Sequence, residues 1–338
     1  MYNPKYMIDA ISNNVRTTKN PFGIPKFLLN RWHLGVKPLA RSGDSMLFTG
    51  LMYQFSPYIE KSTEYLAQFE DSKWQEYLKF AKYVPGYLSG SGLWLIALKN
   101  QKKEYDTVLQ NIVRILRASH VDFFYRPELD DYSGILLYDL GDQDAFIRHA
   151  RYVAKKLKRA GIKRLITVDP HTTYALKVLF PKYTGISFDV KPYFELINFR
   201  SQKAAHGKGT SSDHQKEGKT EGYLTVNNLL TVGIERITLH DPCFYGRYLE
   251  VSDTPRRVLA NLDIECANIR NSGTFTSCCG GPAESISPKL SSEIADRRLN
   301  DLNTTGDKII AFCPICLGNL RKSGAKVDDL ANLIASKL

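Results

Sequence analysis

The stretch 163–176, KRLITVDPHTTYAL, comes back 144 residues later as 307–320, DKIIAFCPICLGNL. In each copy a short apolar run reads as a strand buried on both faces, and a proline just beyond it opens a helical stretch. The shift aligns Leu165 with Ile309, Ile166 with Ile310, Pro170 with Pro314 and Leu176 with Leu320 without a gap. An amphipathic helix precedes each copy, over about 142–160 ending at Gly161 and over about 287–303 ending near Gly306. Further upstream, MLFTG (46–50) and RITLHDP (236–242) are each a short apolar strand running into a glycine or proline turn. Strands alternating with helices predict an α/β fold, here as two similar lobes arising from an internal duplication.

The rest of the chain is organised around these two lobes. A basic arm over 1–40, read as a helical extension, precedes a first lobe over 41–200. A polar flexible linker over 201–225 leads to a second lobe over 226–338. Within the linker, residues 201–222 contain no Val, Ile, Leu, Met or aromatic residue, so they cannot bury enough surface to offset their ordering entropy. The segment's GKGT is not a phosphate loop, because Gly209 stands where a metal-ligating Ser or Thr belongs. A long helical region over about 57–118 belongs to the first lobe alone.

The net charge is +11. Residues 151–164 hold seven basic residues and no acid, and residues 1–41 hold seven basics against Asp9 alone. Such faces are commonly just solvated, and they also dock acidic partners. No arginine-glycine or base-stacking aromatic pattern accompanies them, which argues against nucleic acid. The N-terminal residues do not read as a secretory leader, and no uncharged apolar run approaches the ~18 residues of a membrane span. A cytoplasmic protein that keeps its thiols reduced is expected.

All six cysteines fall within 243–338. Cys243 is followed after 34 residues by the pair Cys278-Cys279 and Gly280-Gly281-Pro282, and after 33 more by Cys313-Pro314-Ile315-Cys316. Cys266 stands apart and is expected to pack as a small apolar side chain. Of the other five, three sit at turn junctions marked by Pro242, Gly280 and Pro314, and an α/β lobe gathers such loop tips at one sheet edge. Thiolates gathered so select an iron-sulfur cluster, zinc or copper(I). A disulfide is disfavoured in a reducing compartment, and a structural zinc site with its four ligands would leave one thiol over.

The pattern Cys-x34-Cys-Cys-Gly-x32-Cys-x-x-Cys, introduced by His240-Asp241-Pro242-Cys243 and Gly246-Arg247, resembles the CCG cysteine-rich domain. That domain occurs twice in the B subunit of heterodisulfide reductase, and also in the iron-sulfur subunits of glycolate, lactate and glycerol-3-phosphate oxidation. The resemblance implies one 4Fe-4S cluster, possibly of the non-cubane kind, on Cys243, Cys278, Cys279, Cys313 and Cys316. It implies an oxidoreductase subunit in thiol, disulfide or sulfur redox chemistry, active within a complex. The alternatives are an electron-transfer subunit of a 2-hydroxy-acid or glycerol-3-phosphate dehydrogenase, and a zinc-bound scaffold without redox role. In the first lobe the corresponding positions are Leu51, Tyr132, Ser133, Asp169 and Thr172, so that copy is expected to keep the fold without the metal. His171, a lone histidine at a loop tip there, is expected to be solvated. The chain also lacks the CxxCxxCxxxCP run of a ferredoxin module, so its electrons are expected to come from a ferredoxin-like or flavoprotein subunit. The basic stretches are candidates for docking that subunit, with peripheral membrane association through it. No catalytic residue is assigned.

Overall fold

The computed structural model describes residues 3–70, 72–97, 99–198 and 235–338, without the side chains at 74, 75, 82, 89 and 96. The segment read as a polar linker lies outside the described residues. The remainder forms an α/β structure with two small sheets, all of whose strand pairs are parallel. In the first sheet β1 (Ser45–Phe48), β2 (Phe123–Phe124), β3 (Arg164–Thr167) and β4 (Asp189–Pro192) take the order β2-β1-β3-β4. In the second, β5 (Glu235–His240), β6 (Ile264–Cys266), β7 (Lys308–Ala311) and β8 (Val327–Asp329) take the order β6-β5-β7-β8. The two orders are the same, and β3 and β7 are offset by the same 144 residues as the repeated stretch.

In each sheet the chain runs first to one side of its opening strand and then returns to the other, so the order reverses between the two central strands. A crevice opens outside the carboxyl ends of strands at such a switch point, and ligands of open parallel sheets settle there. Both central strands of each sheet are buried almost along their whole length, as parallel strands covered by helices must be. The predicted helices form as Gln143–Arg159, with Asp142 Oδ1 accepting from Ala145 N at 3.0 Å, and Pro288–Leu302, with Ser287 Oγ accepting from Leu290 N at 3.2 Å.

The helical region expected over 57–118 is broken. Helix Met52–Glu70 gives way to 3₁₀ turns over Lys73–Tyr83, then to helices Gly86–Ile96 and Lys99–Ala118. Pro85, which has no N–H for a continuing helix, separates the 3₁₀ turns from the helix that begins at Gly86. Residues 4–18 form a helix whose Ile11 and Val15 are buried.

The lobes share one core and are joined by polar bridges. Tyr53 Oη donates to Asp329 Oδ2 at 2.7 Å, Thr63 Oγ1 to Glu284 Oε2 at 2.7 Å, and Asn111 Nδ2 to Asn332 Oδ1 at 2.8 Å. An aromatic stack seals the same junction, with Phe194 edge-on to Tyr245 at 5.0 Å and Tyr245 stacked on Phe312 at 5.5 Å.

Candidate metal centre

The switch point of the second sheet carries the thiols. Cys243 lies just past β5, at the start of the π-helical turn Phe244–Tyr248, and Cys313 lies just past β7 as the N-cap of helix Pro314–Lys322. Cys316 is one turn further along that helix. Cys278 and Cys279 enter on the loop before the turn Gly281–Ser285. The five side chains make one unbroken line of sulfur contacts: Cys243 to Cys278, Cys278 to Cys279, Cys279 to Cys316, and Cys316 to Cys313. The set expected from the sequence therefore converges in one place, while Cys266 lies on β6 outside the line, half-buried.

The surrounding backbone fixes this convergence. Asp241, fully buried, takes a two-pronged bond from Arg256 at 2.7 and 2.8 Å and a third from Gly273 N at 2.8 Å, while its carbonyl accepts from Thr276 Oγ1 at 2.7 Å. The loop bearing Cys243 is thereby tied to the one leading to Cys278. Gly280 has φ +83°, and a Cβ there would stand 2.6 Å from Ser291 O. Only glycine fits that turn. Its carbonyl accepts from Ser291 Oγ at 2.9 Å, and Asn319 Nδ2 donates to Cys279 O.

Charge is shared along the line. The Cys278 thiol is held far below its ordinary range by hydrogen bonds first from Cys243 and then from Cys279, with Gly280 N donating to its sulfur at 3.3 Å. Burial works to raise Cys313, but the Cys316 thiol and the positive His171 hold it well below the usual thiol range. Cys243 and Cys279 are pushed up chiefly as donors to Cys278, and Cys316 first by its hydrogen bond with Cys279 and then by that with Cys313. Cysteines that share protons in this way form a donor set that releases protons as it takes up metal.

Two histidines border the line, and neither role follows from sequence position alone. His171, expected in solvent, is 5 % exposed: its Nδ1 stands 3.7 Å from Cys313 Sγ and 3.8 Å from Asp169 Oδ1, and its ring packs on Phe244 at 4.8 Å. Burial lowers its pKa, yet the Cys313 thiolate outweighs that and sets it at about 9. The reason is topological, because the tip carrying His171 packs against Phe244 and Cys313 of the second lobe. His240 opens the sequence motif, which gives it no role by itself. Its Nδ1 accepts from Arg298 Nε at 3.1 Å, so the ring proton sits on Nε2. That Nε2 has no partner among the described residues, and one nitrogen of the ring lies within 4.8 Å of the sulfurs of Cys279 and Cys316. Burial, then Arg298, lowers the His240 pKa to about 3, so it is neutral.

At the first sheet's switch point the five corresponding side chains are all buried. Asp169 accepts from Thr172 N at 2.9 Å as a helix N-cap, the place Cys313 holds in the second lobe, and Tyr132 Oη accepts from Leu136 N at 2.8 Å. A Cβ on Gly50 would touch Thr172 Oγ1 at 2.0 Å, so this crevice is packed shut there.

Five thiols gather at the switch point of this α/β lobe, and residues 237–321 match the cysteine-rich CCG domain. Relatives over longer spans are oxidoreductases and ferredoxin-type proteins. The chain is 27 % identical over 266 residues to a probable membrane-anchored ferredoxin of Chromohalobacter salexigens, covering 73 % of this chain and 36 % of that protein. It is 27 % identical to an EtfAB:quinone oxidoreductase of Syntrophomonas wolfei, over 63 % of this chain and 28 % of the relative. It is also 27 % identical to a component of the dihydromethanophenazine:CoB–CoM heterodisulfide reductase of Methanosarcina mazei, over 56 % of this chain and 44 % of the relative. The chain thus spans less than half the length of each of these relatives. No solved structure matches it. Among the described residues no helix is long and apolar enough to cross a membrane.

Proposed function

We propose that the chain is an iron-sulfur electron-transfer subunit of a heterodisulfide-reductase-like complex, with one 4Fe-4S cluster held by Cys243, Cys278, Cys279, Cys313 and Cys316. The observation that carries this is the unbroken line of five thiols at the second switch point. Five sulfur donors exceed the four of a tetrahedral zinc site and suit a group with several metal atoms. The environment favours an anionic sulfur-rich group: Arg298, His171 and Arg247 supply positive charge beside it, and the unpartnered His240 Nε2–H supplies a donor.

Such a cluster supplies one-electron chemistry when bound. The chain's own groups shape it: the backbone N–H of Gly280 donates to Cys278 sulfur, the unpartnered Nε2–H of His240 is available as a further donor, and burial of Cys279, Cys313 and Cys316 excludes water. With one thiol cage, a disulfide cleaved by two clusters requires a second cluster from a partner, so electron relay coupled to thiol or disulfide chemistry is the reading adopted. The two lobes are read as copies of one ancestral unit, 41–200 and 226–338, of which the second kept the ligands. A ferredoxin-like or flavoprotein partner supplies the electrons, and any membrane association is peripheral and through that complex. The quinone-linked relative supports a second, respiratory reading, and the co-purifying protein separates the two.

Anaerobic purification followed by iron, acid-labile sulfide and zinc analysis tests the proposal. About four irons and four sulfides per chain are expected. Zinc at about one per chain with no visible absorption overturns it.

A further inference from the structure

A cavity of about 300 Å3 lies on the first-lobe side of the thiol cage, between the N-terminal helix Pro4–Thr18, helix Met52–Glu70 and the CCG loop. Protein interiors pack closely, so an apolar space of this size marks a ligand pocket better than a packing defect. Its body is apolar and aromatic: Phe22, Met52, Phe55, Tyr132 and Ile135 line it, with Phe22 and Phe55 rings 5.5 Å apart and Phe55 edge-on to Tyr132 at 5.6 Å.

One end is different. There the wall is formed by His171, Asp139, Gly281 and Ile315. His171 is the residue that touches Cys313, Ile315 lies between Cys313 and Cys316, and a Cβ on Gly281 would stand 3.5 Å from Cys279 Sγ. The polar end of the cavity is therefore the outer face of the thiol cage. The carboxyl groups of Asp139 and Glu284 on the wall oppose an anionic ligand, and the apolar, aromatic body of the cavity makes it costly to strip any charged ligand of water. The outer wall includes Ala81, Val84 and Leu93, from a segment that also exposes Tyr77, Phe80, Tyr87, Leu88 and Leu95, an apolar surface suited to a sparingly soluble ligand.

We propose that this cavity binds an uncharged organic molecule with a flat apolar ring body and a carbonyl end, the ring against Phe22, Phe55 and Tyr132 and the carbonyl beside His171. Occupancy rests on the cavity alone. The ligand's significance as a redox substrate rests on the cluster proposed above.

The probe is 2-methyl-1,4-naphthoquinone, measured by equilibrium dialysis against the full chain with its metal content assayed in the same sample. Saturable binding of one probe per chain is expected, with a rise in unfolding temperature at saturating probe. A sulfonated naphthoquinone is expected to bind at least tenfold more weakly. Ala10→Phe fills the cavity from the N-terminal helix, and Leu66→Trp fills it from helix Met52–Glu70. Each is expected to weaken binding at least tenfold while leaving iron and sulfide unchanged, so failure of one variant to fold leaves the other as the test. Iron-loaded protein that shows no saturable binding, or folded variants that both bind as the parent does, overturns the ligand site. Binding without iron overturns the cluster and leaves the ligand site standing.

Discussion

Removing the ring of His240 gives the sharpest test of how this chain tunes its metal centre. The neutral ring accepts from Arg298 through Nδ1, its Nε2–H has no partner among the described residues, and the ring lies within 4.8 Å of the sulfurs of Cys279 and Cys316, so Nε2–H is the donor available to a cluster held there. A hydrogen bond to a charged group contributes about 1.5–3 kcal/mol, and the part that changes when a cluster gains one electron is about 1 kcal/mol. Since 1.4 kcal/mol corresponds to about 59 mV for one electron, His240→Leu should lower the midpoint potential by about 40 mV. The sign follows because a donor stabilises the more negative, reduced state. The leucine also strips Arg298 Nε of its acceptor and should cost about 1–3 kcal/mol of stability. His240→Gln offers an amide oxygen to Arg298 and an N–H to sulfur, and should restore most of both. The assay is an anaerobic redox titration followed by electron paramagnetic resonance, with iron measured on each sample. A leucine variant with full iron content and a midpoint within about 10 mV of the parent would refute the donor role.

Cys279→Ser or Cys313→Ser should lose the iron while the first-lobe helices stay folded, and Cys266→Ser should leave iron unchanged; metal analysis with circular dichroism decides. Gly280→Ala places a Cβ 2.6 Å from Ser291 O at φ +83°, and should destabilise by about 2 kcal/mol or more and reduce iron uptake, measured by urea unfolding and iron assay. Asp329, fully buried, is pushed up to about 7 by burial, against an unfolded value near 3.9. The native state therefore binds a proton that the unfolded state has lost, so this group's contribution to stability falls as pH rises from about 4 to about 7, by up to ~4 kcal/mol, and is flat above. Asp329→Asn should remove that fall, gaining on the parent between pH 5 and pH 8 in urea unfolding; equal slopes in the two proteins would count against it.

What was legible in the sequence was whatever is local in register. The alternation of β3 and β7 with their helices and the glycine stops depend on residues a few positions apart, and they stand where the pattern placed them. The break at Pro85 was equally local and could have been read from the proline itself. His171 was not legible, because its burial depends on how one lobe's loop tip meets the other's, a contact between residues 142 positions apart. His240 was within reach, since a histidine ending a buried strand three residues before the first cysteine must point toward or away from the thiols. Only the Arg298 contact, 58 residues away, fixes which nitrogen carries the proton.

The first lobe's part in the site follows from those contacts. Its crevice holds no cysteine, and buried side chains fill it, yet it supplies His171 to the thiol line, the polar end of the cavity through His171 and Asp139, and the Tyr53–Asp329 and Thr63–Glu284 bridges. Glu284 sits three residues past Gly281, so the Thr63 bridge also bears on the placement of the CCG loop. Thr63→Val should then leave a buried carboxylate one donor short, loosen the loop and slow cluster uptake, while sparing the helix that carries it. Reconstitution with iron and sulfide, timed by the growth of visible absorption, would show the slowing, and unchanged uptake would confine the first lobe's role to His171 and the cavity wall.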